Sequence, residues 1–290
     1  MNLAKNIVKY RQRNHLSQEQ LADALNISRQ SISKWETGEN LPSIDNLISL
    51  SGLLDISLDE LITGLPYLHF PFNYGKPKNN WPIVALIVVM FLFGLIFINL
   101  MGTNGWNSVG LSLISVLVAY VFVIWVGPFD YKRYYSYWTL NKSGISFPIN
   151  NQEIYSAGED LILPILGILN LRRTKFIAYK QIKSIEIALD LYGYNPNKEI
   201  STRGGGGLIS ASYTESFYLK IITNDQQEVY LNLKQYYYTN SDERQMLPTI
   251  VSFLKRKNVD FIDKQSIFKL LMDHNDSLTQ ALYQLRDQKD

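Results

Sequence analysis

Arg29, Gln30 and Lys34 fall within six positions of one another and form the most chemically directed group in the chain. A guanidinium offers two parallel donors that fit the major-groove edge of guanine, and a carboxamide offers the donor and acceptor that fit adenine. Other chemistries are poorly supplied. With no cysteine there is no disulfide framework, thiolate zinc site or cysteine nucleophile. The three histidines, His15, His69 and His274, are scattered along the chain, so no histidine-built metal or catalytic cluster is expected. No acid–base or nucleophile constellation appears, and an enzyme, a metal and a cofactor are all not expected. The segment 202–207 (TRGGGG), with its glycine run at 204–207, lacks the Gly-Lys-Ser/Thr ending and strand–helix setting of a phosphate loop, and reads as a loop between strands.

Short helices must hold the first group in place. Leu3, Ile7, Val8 and Tyr10 repeat at helical spacing, and Leu21, Ala22 and Leu25 do so again. Ser17 stands as N-cap of the second helix with Gln20 at the capping-box position. Asn26, Ile27 and Ser28 make a tight turn; Ser28 caps a third helix that runs to about Glu36 and ends at Gly38. Pro42 is expected to open a fourth helix at its first turn, and a fifth is expected near residues 57–62.

The stretches 17–22 (SQEQLA), 27–38 (ISRQSISKWETG) and Leu41-Pro42 resemble the helix-turn-helix of phage repressors and xenobiotic-response-element regulators, the Cro/cI type. The resemblance covers about a fifth of the chain. It implies an all-α five-helix domain at residues 1–64 whose third helix enters the major groove of double-stranded DNA. Carried over residue by residue, Arg29, Gln30 and Lys34 match base-reading positions, with Ser28 and Ser33 beside them. Ser17 and Gln18 match the start of the second helix, where the family contacts phosphate and braces the reading helix. Arg11 and Glu36 match a buried structural salt bridge, and Ala22 and Ile32 match core positions.

Charge qualifies this picture. Residues 1–35 carry six Lys or Arg against two acids; residues 36–64 carry six acids and no Lys or Arg. The segment is acidic overall although phosphate neutralisation dominates DNA affinity. One basic side and an acidic rear would reconcile the two. A single copy should then bind weakly, and a homodimer on two half-sites about one helical turn apart is expected.

The chain has 290 residues, 46% apolar and 19% charged, with a formal net charge of +2. Its charge deficit is local: none lies between Lys78 and Asp130. Two apolar runs there, 83–101 and 109–126, would each make a helix of roughly 27 to 29 Å, close to a hydrocarbon core of about 30 Å. A buried helical hairpin in a soluble core is the alternative, but such helices usually keep a polar face and these have none. Position excludes a signal peptide. Lys76 and Lys78 precede the first run, and Lys132 and Arg133 follow the second, so both ends of a transmembrane hairpin (83–127) should face the cytoplasm. Trp81, Trp125, Tyr131, Tyr134, Tyr135, Tyr137 and Trp138 stand where an interfacial aromatic belt would. Residues 65–82 read as a linker, whose stretch 65–77 carries three prolines and no helical period.

Beyond the hairpin the pattern becomes strand-like at 138–140, 144–147, 175–178, 182–188, 217–223 and 228–233, with a helical pattern over 246–254. This α+β order resembles bacterial pleckstrin-homology-like domains and implies a small barrel or curled sheet with a closing helix over residues 131–260. Residues 161–171 are apolar but too short to span a bilayer; they read as an interfacial segment, a core strand or a short helix. Lys255, Arg256 and Lys257 could meet lipid headgroups or form a solvated helix face. The apolar stripe Ile267, Leu270, Leu271, His274, Leu278, Leu282 and Leu285 suggests an amphipathic helix over 264–288, packed on its own domain or on a second copy.

The sequence therefore points to a multi-pass protein of the cell membrane with both soluble parts cytoplasmic. It would act as a one-component transcriptional regulator, a repressor by family default. The domain after the membrane would answer a small-molecule, lipid or protein signal. The competing expectation is a membrane scaffold whose helix-turn-helix binds a protein partner.

Overall fold

The computed structural model describes residues 3–101, 106–127, 129–149, 157–191, 216–238, 240–272 and 278–287. By packing, the chain divides into residues 1–69 with 245–253, and residues 70–244 with 254–290.

The first body begins with five helices: α1 (Leu3–Arg13), α2 (Gln18–Ala24), α3 (Arg29–Thr37), α4 (Ile44–Leu53) and α5 (Leu58–Thr63). Serines start four of them. Ser17, Ser28, Ser43 and Ser57 each accept a hydrogen bond from the backbone N–H three residues on, satisfying a donor that the helix itself leaves open. At Ser17 the cap is reciprocal, since Gln20 Oε1 accepts from the Ser17 N–H at 2.8 Å. The fourth start corrects the sequence reading. Pro42 lies outside α4; the hydroxyl of Ser43 caps the helix by accepting from Asn46 N at 3.3 Å, so the helix opens two residues later. Gly38 and Gly64 end α3 and α5 in the left-handed conformation. Ile7, Leu21, Ile32, Trp35, Leu50 and Leu61 meet in one core.

In the second body β1 (Phe72–Tyr74) precedes two long apolar helices, α6 (Trp81–Met101) and α7 (Trp106–Val126). Both are long and apolar enough to cross a membrane. The short α8 (Arg133–Ser136), β2 (Trp138–Leu140), β3 (Gly144–Pro148), α9 (Ala157–Ile168), β4 (Thr174–Ala178) and β5 (Ile182–Asp190) follow. Then come β6 (Ser216–Thr223), β7 (Glu228–Asn232), β8 (Asp260–Ile262), α11 (Ile267–Met272) and α12 (Leu278–Asp287); between β7 and β8 the chain forms α10 (Asp242–Lys255), whose residues 245–253 group with the first body.

The strands make two four-stranded sheets, β1-β2-β3-β4 and β7-β6-β5-β8. All pairings are antiparallel except β5 with β8. Register lines up apolar rows. Leu140 faces Ile145, which faces Ile177. In the other sheet Ile185, Ile221 and Val229 form one row and Ile187, Leu219 and Leu231 the next, all buried. Such cross-strand pairs are the stabilising unit of a sheet.

Four further readings change. The segment read as a linker contains β1, whose Tyr74 stacks on Trp138 at 4.8 Å and donates to the Leu233 carbonyl at 3.1 Å. Three residues carry no detectable period, so only the partner strand reveals this one. Strand β8 was likewise not legible. Of the aromatic residues read as a belt, Trp81 and Trp125 are the two that are exposed. Tyr131 and Tyr134 instead turn inward and donate to the carbonyls of Pro82 and Asn79 at 3.1 and 2.8 Å. The carboxy-terminal stripe falls on two helices, with Ile267, Leu271, Leu278 and Leu282 buried within the single chain; His274 lies outside the described residues.

Candidate nucleic-acid interface

Helix α3 is short, and its two apolar residues fix which side it shows. Ile32 and Trp35, three apart, are buried at 0% and 6% exposure. That rotation leaves Arg29, Gln30 and Lys34 exposed together, with Ser33 half-buried at the margin. Ser28 is exposed but its hydroxyl is committed: it accepts from Ser31 N at 3.2 Å and lies 2.9 Å from Ser31 Oγ. Ser17 is exposed at the start of α2 and likewise holds its own helix end, accepting from Gln20 N at 3.1 Å.

A charged brace holds the three helices together. Arg11 on α1 donates from Nε to Glu36 Oε1 at 2.6 Å and from Nη2 to Oε2 at 3.1 Å, the forked geometry that makes such pairs strong. Its remaining arm donates to the Leu16 carbonyl at 2.7 Å. The hydrogen bond to Glu36 raises the Arg11 pKa above its ordinary value, against the lowering effect of burial. Gln18 on α2 donates to the same Glu36 at 2.8 Å. The family resemblance implies both a phosphate-contacting and a bracing role for Gln18; its amide nitrogen serves the brace here.

Two buried links were missed. Asn6 donates to the Leu61 carbonyl at 3.0 Å, and Tyr10 donates to Glu60 at 3.0 Å. Both tie α1 to α5 across fifty residues or more, a separation at which local spacing carries no signal. Burial, then the Glu60 contact, pushes the Tyr10 pKa up to about 12.

The other candidates separate from this cluster. Residues 202–207 lie outside the described residues. Lys255 lies over the Phe268 ring at 4.1 Å, and Lys257 lies over Tyr179 at 4.9 Å while donating to the Lys142 carbonyl. Both are engaged with their own chain. In the second body, a cleft of about 290 Å³ brings together Lys132, Arg133, Tyr137, Trp138, Asp160 and Lys234.

A hydroxyl-capped second helix, a third helix that buries two apolar residues and shows three polar ones, and a forked brace between them define a helix-turn-helix. Residues 7–61 match the helix-turn-helix family model, and they form a domain of the Cro/cI/xenobiotic-response-element type. The HTH-type transcriptional activator BcrR of Enterococcus faecalis is 34% identical over 112 residues, covering 38% of this chain and 53% of that protein. The cryptic phage CTXphi transcriptional repressor RstR of Vibrio cholerae is 38% identical over 61 residues, 21% of this chain and 54% of its own. An uncharacterized HTH-type transcriptional regulator of Bacillus subtilis, YqaE, is 38% identical over 61 residues, 21% of this chain and 53% of its own. The chain thus spans about half the length of the curated relatives it matches. These relatives are HTH transcriptional regulators, and BcrR aligns over a longer stretch than the matched domain.

Proposed function

We propose that this chain is a membrane-anchored one-component transcriptional regulator that reads operator DNA through α3. The observation that carries the reading is the joint exposure of Arg29, Gln30 and Lys34 on a helix whose opposite side is locked down by Ile32 and Trp35. Arg29 would grip guanine, Gln30 adenine, and Lys34 a base edge or phosphate, with Ser33 beside them. Ser17, Gln18 and Ser28 would position the helix. Two copies would act together; Leu41, Ile44 and Ile48 leave apolar side chains exposed at 61%, 73% and 55%, a surface suited to pairing. Repression follows where the operator overlaps a promoter.

Membrane anchoring is supported by what α6 and α7 leave open. Only 6% and 11% of their apolar windows are buried, and Phe91, Leu113 and Phe122 are each more than 60% exposed. Water would penalise that surface and hydrocarbon would not. The flanking Lys76, Lys78, Lys132 and Arg133 support a cytoplasmic location for both soluble parts. The two sheets, whose strands other than β1 follow the hairpin, would form a pleckstrin-homology-like signal domain, with the Lys132–Lys234 cleft as its candidate pocket.

The test is genome-wide chromatin capture with the intact protein beside its Arg29→Ala variant. Two-fold related half-sites about one helical turn apart are expected. The variant should lose about 1 to 3 kcal/mol of specific binding and relax preference at one base pair. An unchanged footprint would overturn the reading and favour a protein-binding scaffold.

A further inference from the structure

Helix α9 is twelve residues long. At 1.5 Å per residue it measures roughly 18 Å, too short to cross a bilayer. Its rotation is fixed from one side. Leu163 is buried, and a Cβ on Gly167 would fall 2.8 Å from the Tyr134 backbone carbon, so α9 presses its own backbone against α8 there. The opposite side therefore carries Ile162, Ile165 and, just past the helix end, Leu169, exposed at 55%, 44% and 59%.

The depth of α9 is fixed as well. Tyr120 on α7 donates to the Leu161 carbonyl at 2.6 Å. Tyr120 lies six residues, roughly 9 Å, inside the end of the apolar window at Val126. Ile168 packs into the cluster of Leu86, Tyr131 and Tyr134, with Met90 and Val123 beside it. Both ends of α9 thus lie alongside the last turns of the apolar hairpin and not beyond them. The charges nearby are arranged for such a place. Asp160 is paired with Lys132 at 3.0 Å. Arg172 lies 3.6 Å over the Tyr137 ring and donates to the Tyr135 and Tyr137 carbonyls. Arg173, at the exit, is exposed and long enough to reach headgroups.

We propose that α9 lies in the plane of the cytoplasmic leaflet, with Ile162, Ile165 and Leu169 facing acyl chains at the headgroup boundary. This rests on the reading of α6 and α7 as membrane-spanning. Continuity with their apolar surface selects lipid as the occupant of the exposed side. The helix is a third membrane contact that couples the bilayer to α8 and β2, which follow the hairpin directly.

The chain has no native cysteine, so single labels are clean. Ile165→Cys, Ile162→Cys, Leu117→Cys on α7 and Lys180→Cys as a water reference each receive a nitroxide. The full-length protein is placed in vesicles of phosphatidylethanolamine and phosphatidylglycerol, and collisions with oxygen and with a nickel chelate are compared. Labels at 162 and 165 should favour oxygen several-fold over the Lys180 reference and report shallower depth than the label at 117. Water-like values at 162 and 165 with a lipid-like label at 117 would overturn the proposal and leave the hairpin reading standing. Labels at 162 and 165 shielded from both reagents would also overturn it, since protein and not lipid would then cover the helix. A water-like label at 117 would remove the hairpin reading, and this inference with it.

Discussion

The amide nitrogen of Gln18 donates to Oε2 of Glu36 at 2.8 Å, on the carboxylate that Arg11 already grips with two arms. One nearly buried carboxylate therefore joins α1, α2 and α3, and the angle at which α3 is presented depends on it. The Arg11 and Glu36 side chains are 13% and 7% exposed. Arg11→Ala strands Glu36 and should cost about 3 to 5 kcal/mol, whereas replacing both partners with methionine should recover most of that loss. Gln18→Ala removes one hydrogen bond to a charged group, about 1.5 to 3 kcal/mol. Pulse proteolysis of the full-length protein across a urea series measures all three. Gln18→Ala should leave base preference unchanged, which separates it from Arg29→Ala.

Gly64 and Gly38 occupy the same backbone region, at φ of +76° and +80°, but in different surroundings. A Cβ on Gly38 would meet only Ala4 at 3.9 Å. On Gly64 it would fall 2.8 Å from Asn6 Oδ1, and Asn6 is the buried donor to the Leu61 carbonyl. Gly38→Ala should therefore cost about 1 to 2 kcal/mol of left-handed strain. Gly64→Ala should cost that and about 1 to 3 kcal/mol more as the Asn6 bond is lost. The same proteolysis assay ranks them, and equal losses would show that Asn6 moves aside freely.

Legibility followed how local the physics was. Ser17, Ser28 and Gly38 announced helix ends because capping acts over three or four residues. Pro42 misled because a proline suits the residues just before a helix almost as well as its first turn, and the adjacent Ser43 decided the matter. The side that α3 exposes was only half legible: Ile32 was read as core, but the burial of Trp35, which with Ile32 fixes the rotation of this short helix, was not. The Asn6–Leu61, Tyr10–Glu60 and Tyr74–Trp138 contacts were not legible. Each joins residues far apart in the chain, and nothing in the neighbourhood of either partner marks the other. The tyrosines after the hairpin show the same limit: Tyr131 and Tyr134 have belt composition but spend their hydroxyls on the carbonyls of Pro82 and Asn79.

The orientation of α6 and α7 makes a prediction independent of DNA. All basic residues near the hairpin, Lys76, Lys78, Lys132 and Arg133, lie on its outer ends. Alkaline phosphatase, which matures only outside the cytoplasm, should be active when fused after residue 105 and silent when fused after residue 145. Activity at 145 would reverse the topology and remove the regulator from its target.

Tyr10 offers a pH test of the amino-terminal core. It is 2% exposed, and burial followed by its contact with Glu60 raises its pKa from 10.0 to about 12. Between those values the folded chain keeps the phenol proton while the unfolded chain has lost it. The unfolded state then binds fewer protons, so stability must fall as pH rises through this window and be fully present below pH 10. Tyr10→Phe removes the ionisation together with the hydrogen bond to Glu60 Oε1 at 3.0 Å. At neutral pH the variant should be less stable than the native protein by about 0.5 to 1.5 kcal/mol, or somewhat more because the acceptor is charged. As pH climbs toward 12 that deficit should shrink, because only the native chain carries the linked loss. Unfolding midpoints measured at stepped pH, with the phenolate absorbance difference between the two proteins, read both quantities. A deficit that stays constant across the window would mean that Tyr10 ionises as freely in the folded core as in water.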